Sequence, residues 1–192
     1  MHREADCIIS VCGETFSCHR LVIQLTSTHI QTLLENADER DSPLDLGLPE
    51  VTARAFEHVM RFAYRGCVQL DCNVVGDVLT ASSALSIRRL RVECVAFMTR
   101  TLGPDTCLRY WSLMECYDVA DGAEHTLFKH CREVARTTFC RAIHSPRPFV
   151  GASDAVVEML LRDDYLQVDY TISSSSLIEL CSRRLSNRSI TV

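Results

Sequence analysis

The sequence predicts an α+β domain followed by an all-α region. Two observations support this fold class. Short strand-forming runs alternate with helical patterns up to Gly103-Pro104, and the strand signals vanish after it. At 192 residues the chain can hold two small domains, each with its own core. An apolar fraction of 47% with 23% charged residues is typical of globular proteins and argues against extensive disorder.

A β-hairpin is predicted at the start of the chain. Residues 7–11 and 15–18 are short runs of strand-forming residues, and Gly13 between them supplies a turn. The pattern then changes to that of a helix over residues 19–26, with three apolar residues on one face: Leu21, Val22 and Leu25. Ser27 is predicted to cap a second short helix.

The next segment returns to strand and helix after a loop. Residues 35–43 are polar and acidic without a clear period, which predicts the loop, and alternation over residues 43–48 predicts a strand. Thr52 is predicted to cap a helix that ends at Gly66. Its apolar residues have the spacing of one buried face: Ala55, Phe56, Val59, Phe62 and Ala63.

Further elements lead to a predicted domain boundary. Residues 67–70 are predicted to form a strand, and helices are predicted over residues 73–84 and after Ser86. Beyond Gly103 only helical patterns follow, with predicted caps at Asp105, Ser153 and Ser176, the last in a capping box with Glu179. The predicted parts are residues 5–102, residues 103–186 and a tail over residues 187–192.

The composition favours contact with other proteins over chemistry. The 11 cysteines include no Cys-x-x-Cys pair and are predicted to pack as small, free-thiol hydrophobes. No nucleophile elbow or glycine-rich phosphate loop occurs. A net charge of -5 lacks the basic footprint of a nucleic-acid binder, and no stretch approaches the about 20 apolar residues of a membrane span. We therefore predict a cytoplasmic or nuclear protein that is not an enzyme and needs no metal or cofactor.

Two blocks of sequence resemble the BTB/POZ family. Residues 6–11 and 15–22 are similar to the family's Asp-Val-x-Leu-x-Val and Phe-x-Ala-His-Arg/Lys-x-Val-Leu. Residues 48–51 and 55–66 are similar to a later block that ends Phe-x-Tyr-Thr/Ser-Gly. The order and spacing of the blocks make the match specific. Residues 105–117 and 161–168 resemble a BACK domain, and the whole pattern is nearest to the Kelch-like branch.

The resemblance implies a substrate adaptor. In Kelch-like proteins the BTB–BACK half binds the third cullin of a cullin–RING ubiquitin ligase, and a Kelch propeller binds the substrate. The propeller is expected to be absent here, because only a short tail follows Ser186. The family's apolar-x-Glu cullin motif corresponds to Ala37, Asp38 and Glu39, with Phe62 and Tyr64 as further contacts. Ala37 offers little apolar area, so weaker cullin binding is expected.

Alternatives accompany these implied contacts. Phe62 also lies on the predicted core stripe, and Tyr64 at the helix end fits either the core or a contact. BTB dimers usually use a helix before the first strand, whereas only five residues precede Asp6, which counts against that contact.

Two functions without a ligase role fit the sequence as well. One is a regulatory or decoy module that forms homo- or heterodimers with BTB-containing proteins, and the other is a self-associating scaffold.

Overall fold

The computed structural model describes residues 5–36, 43–115, 122–143 and 152–167. The chain divides into two compact units, residues 1–98 and 99–192. The first unit contains a small sheet and helices, whereas the described part of the second contains helices only. The predicted fold class, an α+β region followed by a helical one, is therefore confirmed.

The sheet has three strands in the order β2-β1-β3. Its strands are β1 (Cys7–Val11), β2 (Glu14–Cys18) and β3 (Leu44–Asp45). β1 and β2 form the predicted antiparallel hairpin, and β3 pairs parallel to β1. Cys12 and Gly13 between β1 and β2 have φ values of 50° and 82°, as a type I′ turn requires. β3 is shorter than the predicted strand over residues 43–48.

Five of the described helices begin in the first unit: α1 (Arg20–Thr26), α2 (Thr28–Asn36), α3 (Ala53–Arg65), α4 (Val75–Ala84) and α5 (Arg88–Arg100). Two predicted caps are confirmed by their hydrogen bonds. The Ser27 hydroxyl accepts from the Ile30 N–H at 3.1 Å, and the Thr52 hydroxyl accepts from the Ala55 N–H at 3.1 Å. Gly66 ends α3 with a φ of 69°, a left-handed conformation that glycine adopts without a steric cost.

Two local predictions in this unit were wrong. Residues 67–70 form no strand, because alternation alone does not supply a neighbouring strand to pair with. The Asp71 carboxylate follows them and accepts from the N–H groups of Asn73 and Val74, which turns the chain toward α4. Ser86 does not cap α5, because Ile87 directly precedes that helix and Ser86 has a φ of 55°.

The described helices of the second unit are α6 (Cys107–Glu115), α7 (Ala123–Ile143) and α8 (Asp154–Leu161). The Ser153 hydroxyl accepts from the Val156 N–H at 3.3 Å, so this predicted cap is confirmed. α7 buries one face, which includes four positions: Leu127, Cys131, Ala135 and Phe139. The predicted capping box of Ser176 with Glu179 and the tail over residues 187–192 lie outside the described residues.

Candidate protein-interaction surface

α1 presents two leucines to solvent. Leu21 is 65% exposed and Leu25 is 81% exposed, and a spacing of four residues places both on one helical face. Ile23 is buried in their place, with 1% exposure. The sequence pattern placed Leu21 and Leu25 on one helical face, and the structure shows that this face points outward. α1 spans seven residues, and such a short apolar run fits more than one helical phase.

Hydrogen bonds at both ends of α1 determine which of its faces lies inward. The Asp6 carboxylate accepts from the Arg20 backbone N–H at 2.6 Å. The Arg20 guanidinium donates to the Leu34 carbonyl of α2. At the other end, the Ser27 N–H donates to the Ile23 carbonyl at 3.0 Å. These hydrogen bonds make Arg20 a structural residue and leave the leucine face outward.

Tyr64 joins the end of α3 to the start of α1. Its hydroxyl accepts from the His19 backbone N–H at 2.8 Å and lies 2.8 Å from His19 Nδ1. The two rings meet edge to face, with centroids 5.8 Å apart. Tyr64 is nevertheless 47% exposed. The side chain thus supports the fold through its hydroxyl and leaves half of its surface available to a partner.

The predicted contact residues occupy different places. Tyr64 lies on the surface, whereas Phe62 is buried on the core side of α3 with 6% exposure. That burial supports the core interpretation of Phe62, since a partner could not reach its ring without a rearrangement. Ala37, Asp38 and Glu39 lie outside the described residues, directly after the end of α2 at Asn36. Their role in binding a partner stays a prediction.

The outward leucine face of α1 is a feature that the helical pattern did not predict. No local signal in the sequence shows this orientation, which follows instead from the environment of Ser27, four residues after Ile23. Ser27 is fully buried, and its hydroxyl donates to the Leu85 carbonyl at 2.6 Å. A cap that faces the core places Ile23 on the inner side of the chain. The leucines must then face solvent.

Four buried cysteines behave as small apolar side chains. Burial is the main cause that raises the pKa of the Cys18, Cys94 and Cys131 thiols to about 12 and of the Cys107 thiol to about 11. These thiols are therefore neutral at physiological pH, as predicted for cysteines that pack in a core. Exposed thiols occur at Cys12 and Cys67.

The described residues show no arrangement typical of a metal centre or a membrane span. Among them, no three or more histidine, cysteine, aspartate or glutamate side chains gather where they could hold an ion. None of the described helices combines the length and apolar character needed to cross a bilayer. The features that stand out are instead the apolar face of α1 and the half-exposed ring of Tyr64.

A small sheet, a helical cluster and exposed apolar side chains are together typical of a domain that binds other proteins. Comparison with known families identifies this class more closely. The model of the BTB/POZ domain matches residues 1–102, which is more than half of the chain. The chain belongs to the BTB/POZ domain family, and the resemblance of its two sequence blocks is confirmed.

Curated relatives include several Kelch-like proteins. Kelch-like protein 24 of Homo sapiens is 28% identical over 134 residues, which cover 70% of this chain and 22% of the relative. Kelch-like protein 26 of Homo sapiens is 25% identical over 133 residues, with coverage of 68% and 22%. Kelch-like protein 40b of Danio rerio is 23% identical over 155 residues, with coverage of 79% and 25%. The chain spans between 22% and 25% of the length of these relatives.

Among solved structures, the chain is similar to the BTB (Tramtrack and Bric a brac) domain of human Gigaxonin. The TM-score is 0.43 at 20% sequence identity, and the alignment covers 50% of this chain and 79% of that structure.

Proposed function

We propose that this protein is an adaptor whose BTB domain binds the third cullin of a cullin–RING ubiquitin ligase. The observation that carries the proposal is the BTB/POZ match over residues 1–102, together with Kelch-like relatives over about two thirds of the chain or more. The proposed contact set is Tyr64 with Ala37, Asp38 and Glu39. Phe62 is left out of it because its side chain is buried.

Tyr64 has the properties of an interface anchor. Tyrosine is enriched among the residues that contribute most to binding, because its ring is large and loses little conformational freedom. Here the hydrogen bonds to His19 hold the ring in place before any partner arrives. A preorganised aromatic side chain costs less to immobilise in a complex.

The first experiment titrates the purified chain against the N-terminal domain of the third cullin by calorimetry. Replacing Tyr64 with alanine should weaken binding about tenfold or more, since hot-spot truncations cost more than about 1 kcal/mol. Tyr64→Phe keeps the ring but removes the hydroxyl that holds it against His19, so its affinity should lie between those of wild type and Tyr64→Ala. Val92→Ala is the control, because Val92 is a 58% exposed residue of α5 that does not belong to the proposed contact set.

A gain-of-affinity variant tests the second half of the contact set. Ala37→Leu adds apolar area at the position of the family's apolar-x-Glu motif, and each buried methylene is worth about 0.8 kcal/mol. Leucine has three more carbon atoms than alanine, so we expect full burial to contribute about 2.4 kcal/mol and to tighten cullin binding about 50-fold. If neither the wild-type chain nor Ala37→Leu produces heat at tens of micromolar, the cullin proposal is wrong.

A second candidate function rests on the apolar face of α1. Leu21 and Leu25 are the two most exposed leucines of the described residues, and a two-fold symmetric pairing would bury the same face of two copies against each other. This favours a BTB homodimer, or a heterodimer with another BTB protein, that acts as a scaffold or regulator. Sedimentation should show a dimer that the double variant Leu21→Ser, Leu25→Ser converts to monomer. Dimers that persist without cullin binding would favour this function over the adaptor.

The remaining expectations are proposals based on the family resemblance. The helices after Gly103 would form a BACK-like domain over residues 103–186, and the protein would act in the cytoplasm or nucleus. Limited proteolysis should cut the chain between residues 98 and 107, and a cut inside α6 would argue against this boundary.

A further inference from the structure

Two cysteines face each other across the open end of the β1–β2 hairpin. Cys7 is the first residue of β1 and Cys18 is the last of β2, and the strand register pairs them directly. Directly opposite residues of an antiparallel pair point to the same face of the sheet. The pair is thus defined by the strand register.

The backbone spacing at this position suits a covalent bond. Register partners in an antiparallel ladder have Cα atoms about 4.5–5.5 Å apart. Disulfides connect Cα atoms that are about 4.4–6.8 Å apart. Both cysteines lie at strand termini, so small changes in the chain direction can bring the sulfur atoms to bonding distance. The type I′ turn at the opposite end keeps the register during that adjustment.

We propose that Cys7 and Cys18 form a reversible cross-strand disulfide by exchange with a low-molecular-weight disulfide of the glutathione class. The Cys7 thiolate attacks one sulfur of oxidised glutathione, which forms a mixed disulfide and releases one glutathione thiolate. Cys18 then transfers its proton to the released glutathione thiolate and displaces the second glutathione as a thiolate. Two protein thiols are oxidised to one disulfide, and one oxidised glutathione is reduced to two thiols.

Exposure decides the order of the two steps. Cys7 is half-buried and can be reached from solvent, whereas Cys18 is fully buried. Burial, with a smaller contribution from Cys7, raises the pKa of the Cys18 thiol to about 12, so Cys18 is a poor initial nucleophile. Cys7 is therefore the attacking thiol and Cys18 the resolving one.

The bond would form where the hairpin joins α1. Asp6 precedes Cys7 and accepts from the Arg20 backbone N–H, while His19 follows Cys18 and donates to the Tyr64 hydroxyl. A disulfide between Cys7 and Cys18 would connect the two segments that hold the first turn of α1. Oxidation should therefore make this junction more rigid and raise the thermal midpoint of unfolding.

Peptide mapping of the full chain tests the proposal. The protein is equilibrated with glutathione buffers of increasing oxidised fraction, and free thiols are alkylated. Trypsin then releases residues 4–20, which contain Cys7, Cys12 and Cys18, and cleavage after Glu14 separates Cys18 from the other two. The expected product is a disulfide-linked pair of peptides, 5–14 with 15–20, in which fragmentation locates the alkyl group on Cys12.

The Cys12→Ser variant is the matched control. Cys12 lies in the turn at the far end of the hairpin and is exposed. This variant should form the linked pair at the same glutathione ratio as wild type and show the same rise in thermal midpoint on oxidation. Cys7→Ser should show neither. Should Cys7→Ser fail to fold, mapping of the wild type and of Cys12→Ser still decides the question.

Three results would overturn the proposal. One is recovery of Cys7 and Cys18 as alkylated thiols from folded protein in excess oxidised glutathione. Another is a stable Cys7–glutathione mixed disulfide without Cys18 linkage. The third is a linkage that requires Cys12 or a second chain. None of these outcomes bears on cullin binding, which is measured with reducing agent present.

Discussion

The two units of the chain use different polar contacts to connect residues that are far apart in sequence. In the first unit, the buried Ser27 hydroxyl donates to the Leu85 carbonyl, a neutral bond between residues 58 positions apart. In the second unit, the Asp163 carboxylate, whose side chain is 5% exposed, accepts from Arg136 of α7 at 2.6 Å. The first contact is insensitive to mild acid, whereas the second depends on a charge.

This difference indicates how each unit depends on solution conditions. Arg136 also lies over the Tyr165 ring at 5.5 Å, and Arg132 lies over the Trp111 ring at 5.6 Å. The exposed Tyr165 ring therefore has an intramolecular contact. The side chains of Leu21 and Leu25 in the first unit extend into solvent instead. The second unit thus contains long-range contacts that depend on charge, while the first presents the apolar surface proposed for binding.

The largest expected effect is on the core of the first unit. Phe56 is fully buried, and its ring meets Phe16 edge to face at 5.0 Å. Phe56→Ala should lower the free energy of unfolding by about 3–5 kcal/mol, because it leaves a cavity. Urea titration followed by circular dichroism measures the loss. Val92→Ala, at a solvent-exposed position, should stay within about 0.5 kcal/mol of wild type.

A smaller loss of stability is expected when the buried hydrogen bond from the Ser27 hydroxyl to the Leu85 carbonyl is removed. Ser27→Ala removes the cap of α2 and leaves the Leu85 carbonyl without this donor, which should cost about 1–3 kcal/mol. Thr52→Ala is the matched control, since it removes a cap at an exposed position and should cost about 1 kcal/mol. Equal losses in the two variants would show that the Ser27–Leu85 bond adds nothing.

The smallest expected loss of stability comes from removal of the contact between Arg136 and Asp163, and it depends on pH. Hydrogen bonds from Arg136 hold the pKa of Asp163 below its ordinary value of 3.8. A lowered pKa means that the ionised form stabilises the fold above pH 3.8 and that this stabilisation is lost as the pH falls through the folded pKa. Asp163→Asn should therefore be less stable than wild type at pH 7, and the difference should shrink in acid.

Chemical denaturation at a series of pH values between neutral and strongly acidic measures this convergence. Glu133→Gln is the control, because Glu133 is 66% exposed and lies 3.7 Å from Arg136. Surface pairs of this kind contribute little to stability. If the stability difference between Asp163→Asn and wild type is the same at every pH, the charge of Asp163 does not stabilise the fold.

Local sequence was enough to predict the elements whose signals lie within a few residues. The turn at Cys12-Gly13, the caps at Ser27, Thr52 and Ser153, and the end of α3 at Gly66 are all short-range features. Each depends on backbone conformation or on a hydrogen bond to a residue a few positions away. The family resemblance is likewise carried by contiguous blocks of residues, so the amino-acid sequence alone was enough to identify it.

Only the tertiary structure decided which face of α1 lies inward. It also decided that Tyr64 of the predicted contact set is exposed and that Phe62 is buried. Leu21 and Leu25 could not be assigned from a two-turn helix, because Asp6, Arg20 and Tyr64 determine its rotation through contacts up to 45 residues apart. The strand predicted over residues 67–70 was wrong for the same reason, since pairing needs a neighbour that local alternation does not specify. Contacts between residues that are distant in sequence determine which side chains lie on the surface, and those side chains are the ones that a partner can contact.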